Sequence, residues 1–423
     1  MTDSSTPLVG IFADDLTGAL DAAAPFAARG FRTVVSTTHE LPEGAASAEV
    51  VSINLGTRHM EPSEVSERTS GAVKALAALG VKVLLNKVDS TLRGNPGVEL
   101  AAALEAISVD HAIICSAYPQ NNRIVDDGVL LVDGTSVANT DVGRDQLSPI
   151  SSSNVEELIL LSLERAGIAD QVHVRRASGG KGVTDLLPVI VAADATTDDD
   201  LLILAKRLVA VDSTALVAGS AGVASALAQT LGEGRKADSS PFGSLLTSQK
   251  ILIVTASQRV IVDMQIQTMG DEIDLVLAEI TADEVIEGVS EESVGRMTEL
   301  VKREGVVVLK LGRLDPNEEK STEELRTLAG TIAGKLGQFV KTITDISKPD
   351  VLVVIGGDTT SGVLNACGVE SLGLQGELQP GTVSGIPIEG SIAGTLLITR
   401  AGGFGDEKSL LQLISLLKFG RSV

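Results

Sequence analysis

The stretch VGIFADDLTGALDAAAPFAARG, residues 9–30, runs from an apolar segment through two acids into a helical pattern that ends at a glycine. Leu8 to Ala13 reads as a strand and Thr17 to Arg29 as a helix stopped by Gly30. The same alternation continues outward from this first β-α unit. Strand candidates follow at Thr33 to Ser36, Val50 to Leu55, Val81 to Val88, Ala112 to Cys115, Val172 to Val174, Val189 to Ala192 and Ala215 to Val217, with helical patterns in most gaps. Strands separated by helices require crossover connections and predict a mostly parallel sheet, an α/β fold. Ile124 to Asp133 is the exception, because its Asp127-Gly128 pair predicts a hairpin turn.

The pattern lapses over GEGRKADSSPFGSLLTSQ, Gly232 to Gln249, which is rich in Gly, Ser and charge. A linker there divides the chain into domains at 1–231 and 250–423. Alternation then restarts with strands at Ile251 to Val254, Leu275 to Ala278, Val306 to Leu311, Val351 to Ile355 and Leu396 to Thr399. Helices are expected near Thr322 to Ile343 and Lys408 to Leu417. At 423 residues the chain exceeds one ordinary core, which agrees with two domains.

Composition narrows the function classes. Apolar residues reach 43% and aromatics only 2%, which suits buried aliphatic strands under helices. A net charge of −22 repels nucleic acid and anionic membrane surfaces, so neither is an expected partner. No apolar run reaches the roughly 18 residues of a membrane span, and the first residues lack a basic leader, so a cytoplasmic address is expected. Cys115 and Cys367 lie far apart in apolar segments, as reduced buried thiols do. His39, His59, His111 and His173 have no partner at zinc-ligand spacing. Self-association into a homo-oligomer is left open.

Chemistry gathers at strand ends, where open α/β sheets bind ligands. Asp14 and Asp15 close the first strand. One carboxylate there can simply cap the helix, but two exceed what a cap needs, and one is a candidate general base. In NKVDSTLRGN, residues 86–95, period-two alternation puts Lys87 and Asp89 on the face of Val83 and Leu85, charges at the end of a buried run. Arg93 beside Gly94 suits bidentate capture of a carboxylate, with Ser90 and Thr91 as hydroxyl donors. The set fits a small acidic substrate. In the second half, Val351 to Ile355 runs into GGDTTSG and Leu396 to Thr399 into RAGGFGDEKSL, two glycine turns before helices that together resemble a phosphate cradle. Ser257 in VTASQR sits at a third strand end, where it can also be an ordinary cap. For VAGSAGVASALA, residues 217–228, close packing and ligand contact weigh equally. Walker, dinucleotide-binding and nucleophile-elbow signatures are absent.

In order and spacing, ADDLTGA, KVDSTLRGN, RIVDDGVLLVDG, VAGSAGVASALA, GGDTTSGVLNACGVESL and ITRAGGFGDEKSL resemble the four-carbon acid sugar kinases nearly end to end. The resemblance implies a sugar-acid-binding N-terminal domain, an ATP-binding C-terminal domain, and phosphorylation of a terminal hydroxyl of threonate, erythronate or a 3-oxo-tetronate in a cleft between them. It implies substrate contacts at Asp14, Lys87, Ser90 and Arg93, with Asp15 or Asp89 accepting the hydroxyl proton. Nucleotide contacts would fall on Ser257, on Gly356, Gly357, Asp358 and Thr359, and on Gly402 and Gly403. Mg²⁺ would accompany ATP, with Asp358 a candidate ligand. The competing readings are an ATP-independent sugar-acid lyase or dehydrogenase, and a silent sensor that binds both ligands without turnover.

Overall fold

A computed structural model describes residues 7–144, 149–177, 187–211, 213–235, 250–303, 305–314 and 321–419. The chain divides into two compact units, Met1–Lys236 and Ala237–Val423. Most of the expected linker, residues 236–249, lies outside the described residues. Its first residues are fastened to the N-terminal unit: the Arg235 guanidinium stacks 3.9 Å from the Phe31 ring centroid and pairs with Glu49 at 2.5 Å.

The N-terminal unit opens with strand β1 (Val9–Ala13), helix α1 (Leu16–Ala27), β2 (Thr33–Ser36), β3 (Val50–Asn54), α2 (Pro62–Ala78), β4 (Val83–Lys87), α3 (Pro96–Ile107) and β5 (His111–Cys115). A hairpin of β6 (Arg123–Asp126) and β7 (Val129–Val132) with the short β8 (Thr135–Ser136) follows. Asp127 and Gly128 both take positive φ, 49° and 77°, as a tight hairpin turn demands and as the Asp-Gly pair predicts. The unit ends with α4 (Val155–Arg165), β9 (His173–Arg176), β10 (Val189–Ala192), α5 (Asp198–Val209), β11 (Ala215–Gly219) and α6 (Ala221–Leu231). Its main sheet runs β2-β3-β1-β4-β11-β5-β10-β9, with every adjacent pair parallel. From β1 the chain winds first toward β3 and β2, then returns to β4 on the other side. The loops after β1 and β4 therefore flank a topological switch point, the place where such sheets hold ligands.

The C-terminal unit repeats the plan with β12 (Lys250–Thr255), α7 (Val260–Glu272), β13 (Leu275–Ile280), α8 (Ala282–Glu287), α9 (Glu291–Lys302), β14 (Gly305–Leu311), α10 (Thr322–Ile346), β15 (Val351–Ile355) and α11 (Gly357–Ala366). It closes with β16 (Ser371–Gln379), β17 (Thr382–Pro387), β18 (Leu396–Arg400) and α12 (Ser409–Phe419). The order is β13-β14-β12-β15-β18-β17-β16, and its switch point lies between β12 and β15. β17 pairs antiparallel with both β18 and β16. This hairpin is missing from the sequence reading. Glycines at 373, 376, 381 and 385 dilute its strand signal, although Leu372, Leu374 and Leu378 around a Pro380-Gly381 turn mark it in retrospect.

Aliphatic residues fill both interiors. In the second unit Ile251, Ile253, Val351, Val353, Leu396 and Ile398 pack with Ile266 and Met269 of α7 and Leu410, Leu413 and Ile414 of α12. Across the sheet, α10 and α11 touch through their backbones. A Cβ on Gly337 would stand 2.1 Å from the Gly362 carbonyl oxygen, and one on Gly362 would stand 2.2 Å from that of Ala333. This contact holds the middle of α11, the helix that one of the glycine turns opens. Gly337→Val is expected to destabilise the C-terminal unit by about 3 kcal/mol, since the clash is with backbone that cannot rotate away. An unchanged unfolding transition would refute that close crossing. Among the described residues no helix is long and apolar enough to cross a membrane.

Candidate functional site

The structure gathers the acids and cations of the first half at the N-terminal switch point. β1 hands over to α1 at Asp15, whose Oδ1 accepts the Gly18 amide at 2.6 Å as an N-cap. Its other oxygen accepts Arg58 Nη1 at 2.5 Å. Asp14 receives the same guanidinium in a fork, Nε to Oδ2 at 2.6 Å and Nη2 to Oδ1 at 2.9 Å. The paired acids thus divide their work, Asp15 capping and Asp14 anchoring, with one arginine bridging both. The Asp14 side chain is only 3% exposed, whereas Asp15 is 31% exposed and is the carboxylate a solute can reach.

Arg58 was not among the sequence candidates. It follows β3 by four residues, so the strand-end rule that selected Asp14 would also have found it. Burial alone would lower its pKa, but Asp14, Asp15 and Asp89 outweigh burial and push it well above the ordinary arginine value.

β4 stops at Lys87, which corrects the expected strand to Val88 and the shared face of Lys87 and Asp89. Beyond it the chain turns, with the Leu92 amide bonded to the Asp89 carbonyl at 2.8 Å and Leu92 at φ 60°. A bulky residue held left-handed costs roughly 1 kcal/mol or more, which the surrounding bonds must offset. Those bonds centre on Asp89. Its Oδ1 accepts the Thr91 amide at 2.9 Å, the Thr91 hydroxyl, and Arg93 Nε at 3.2 Å; its Oδ2 accepts Arg93 Nη2 at 2.8 Å. Burial would raise the Asp89 pKa, but the Arg93 hydrogen bonds and the charges of Arg58 and Arg93 hold it far below the usual carboxylate range. Ser90 is half-buried in the same turn.

Lys87 is buried, and its Nζ donates to the Val88 carbonyl at 3.2 Å. It runs past Gly18 so closely that a Cβ there would meet Lys87 Nζ at 3.3 Å and Asp15 Oδ1 at 2.7 Å. The glycine of ADDLTGA is therefore a matter of space. Asp21, one turn further along α1, is raised by burial against the lowering charge of Lys87.

Glu99 on α3, also absent from the sequence reading, is buried behind this cluster and accepts the Thr57 hydroxyl at 2.7 Å. Burial and the charge of Asp14 push its pKa up to about 8, against the Thr57 bond. A carboxyl raised in this way favours the folded state below its unfolded pKa, and that contribution is lost as pH rises through about 8. Glu99→Gln, which cannot ionise, is expected to raise the Tm relative to the parent at pH 8 and to change it little at pH 5. A difference independent of pH would refute the neutral buried acid.

The glycine-rich stretch of residues 217–228 resolves toward packing. Gly222 backs onto the Ala117 carbonyl, where a Cβ would come within 2.7 Å, and Ser220 Oγ caps α6 while donating to that same carbonyl at 2.5 Å.

In the C-terminal unit three turns meet at the sheet's carboxyl edge. A Cβ on Gly402 would lie 2.9 Å from Ser257 Oγ and 4.0 Å from the Gly356 Cα, so the turns after β12, β15 and β18 are in contact. Ser257 is no helix cap: α7 starts at Val260 after Arg259. Its amide donates to Thr255 Oγ1 at 3.1 Å. Gly356 adopts φ 110°, which a side chain rarely tolerates, and leads into α11 with no side-chain cap, leaving the amides of its first turn open to an acceptor. Gly357 and exposed Asp358 begin that turn; Thr359 and Thr360 are buried, and Thr360 Oγ1 bonds the Gly356 carbonyl at 2.8 Å. Gly403 lies against the Arg259 guanidinium, 3.3 Å from the position a Cβ would take. Beneath, buried Arg400 donates Nη2 to the Phe404 carbonyl at 2.8 Å, and burial lowers its pKa to about 10. Arg400 also escaped the sequence reading, as the charged end of an otherwise aliphatic strand.

Among the described residues no group of three or more His, Cys, Asp or Glu could hold a metal ion. A single carboxylate such as Asp358 fits Mg²⁺ carried on phosphates with its own waters, and does not fit a protein-caged metal.

A family model described as a sugar-binding N-terminal domain matches residues 9–227, and one described as a nucleotide-binding C-terminal domain matches residues 252–410. The chain is 29% identical to a D-threonate kinase of Bordetella bronchiseptica over 96% of each chain. It is 26% identical to a 3-oxo-tetronate kinase of Pseudomonas fluorescens over 98% of each. A crystal structure of a Haemophilus influenzae protein shares the fold, with a TM-score of 0.70 at 19% identity, covering 94% of this chain and 97% of that one.

Proposed function

The chain belongs to the family that joins a sugar-binding N-terminal domain to a nucleotide-binding C-terminal domain, and on that premise we propose that it is an ATP-dependent kinase phosphorylating a terminal hydroxyl of a four-carbon sugar acid. The observation that carries the nucleotide half is the contact of Ser257, Gly356 and Gly402 around the uncapped start of α11. Backbone amides and partial helix charge at such a point favour polyphosphate. Gly357, Asp358, Thr359 and Gly403 complete this set. Mg²⁺ bound to the phosphates, with Asp358 as its candidate protein ligand, would neutralise charge on the transferred group.

For the sugar acid, Lys87 and Arg93 supply positive charge to the substrate carboxylate, with Ser90 as a hydroxyl donor. Asp14 holds Arg58, and Arg58 presents Asp15. Asp15 is the better proton acceptor of the two candidates, because its side chain is 31% exposed against 12% for Asp89, and Arg93 holds the Asp89 pKa far down. In the transfer, the substrate oxygen bonds to the γ-phosphorus, the bond to the β,γ-bridging oxygen breaks, and the hydroxyl proton passes to Asp15. ADP and a phosphorylated sugar acid leave. Positioning and charge neutralisation are the main demands of such chemistry, which suits a site with few reactive groups.

The test is ADP release with Mg²⁺ and ATP across D- and L-threonate, D- and L-erythronate and their 3-oxo forms. Turnover with one member is expected. Silence across the panel, with ATP binding shown separately, would overturn the substrate class.

A further inference from the structure

Glu99 has no part in the reaction as written, yet its environment is built with care. It lies in the first turn of α3, is 1% exposed, and spends Oε1 on the hydroxyl of Thr57, which is itself fully buried. Thr57 directly precedes Arg58. The residue before α3, Asn95, donates Nδ2 to the Thr57 carbonyl at 3.4 Å and to the Met60 carbonyl at 3.3 Å. The start of α3 is thus fastened to the Arg58 loop from both sides, through a side-chain hydroxyl and through backbone carbonyls. The same helix follows directly on the Asp89–Arg93 turn, so one rigid element sets two loops of the site.

The chemistry of the partner is informative. A carboxyl in this place would compete with Asp14 and Asp15 for Arg58 if it were charged. As a neutral acid it accepts the Thr57 hydroxyl and leaves the guanidinium to the two aspartates, which is the pairing observed.

We infer that Glu99 is a positioning residue of the sugar-acid site, acting through Thr57 to hold Arg58 where it grips Asp14 and Asp15. This rests on the reading that the Arg58 cluster receives the sugar acid. Its test is steady-state kinetics of the full chain, with the tetronate that turns over and Mg²⁺-ATP, on Thr57→Val, Glu99→Ala, their double variant and Glu99→Gln. Thr57→Val removes one hydroxyl at constant shape, and is expected to raise the KM for the sugar acid by roughly 10-fold with the ATP KM unmoved. Glu99→Ala should do the same, and Glu99→Gln, which keeps a neutral acceptor, should rescue most of that loss. Because the Thr57 hydroxyl acts through its bond to Glu99, the double variant should be no worse than Glu99→Ala. The inference is overturned if Thr57→Val leaves the sugar-acid KM unchanged, if both KM values move together, or if the two single effects add. A parent inactive on every tetronate would sink the kinase reading that underlies it, whereas an active parent with an indifferent Thr57→Val sinks this inference alone.

Discussion

Asp15→Asn is expected to lower turnover by roughly 10²-fold or more while leaving ATP binding intact, because an amide cannot take up the proton of the attacking hydroxyl. The substitution isolates chemistry from folding unusually well. Asp15 caps α1 through Oδ1, and Asn caps a helix about as well as Asp. What is lost is the charge facing Arg58, and Arg58 keeps its fork on Asp14. The Tm should therefore stay within about 3 °C of the parent, since a partly exposed pair contributes about 1 kcal/mol or less. Turnover near the parent's would remove Asp15 from the reaction and return attention to Asp89. A large loss of Tm would mean that the pair with Arg58 matters more to folding than its exposure suggests.

Arg58→Ala carries the largest combined effect. It strips the counter-charge from Asp14, whose side chain is 3% exposed, and from Asp15 and Asp89 nearby. Leaving a buried carboxylate unpaired costs about 3–5 kcal/mol, several times what a surface pair contributes. In a unit of this size that corresponds to a Tm lower by roughly 10 °C. Turnover of the sugar acid should fall below detection, because the group that presents Asp15 is gone. Arg58→Lys should recover part of the stability but little of the activity, since an ammonium cannot reproduce the two-pronged bond to Asp14. Thermal unfolding and ADP release on the same preparations check both. A loss of Tm under about 2 °C would show that Asp14 finds other support or takes up a proton without penalty.

Much of this protein is legible along its chain. The runs Leu8 to Ala13, Val81 to Val88, Val351 to Ile355 and Leu396 to Thr399 mark strands whatever their partners, because burial on both faces demands it. The glycines of GGDTTSG and RAGGFG mark turns because close backbone approach leaves no room for a side chain, as at Gly402 against Ser257. Hairpin β16-β17 was not legible, because its glycines and polar residues break the alternation that marks a strand, although Leu378 and Ile386 pack against the core.

The α/β class, the two halves, and the strand ends at which charged and glycine-rich turns collect are all written in local sequence. Those features depend on residues within one or two turns of each other. How the acids share their work depends instead on long-range contacts. Arg58 reaches Asp14 across 44 positions and Thr57 reaches Glu99 across 42. Contacts of that span have no period in the sequence. They arise because the parallel order β3-β1-β4 brings three strand ends side by side. Which carboxylate stays reachable, which is locked to an arginine and which is kept neutral follows from burial and neighbouring charge at that meeting point.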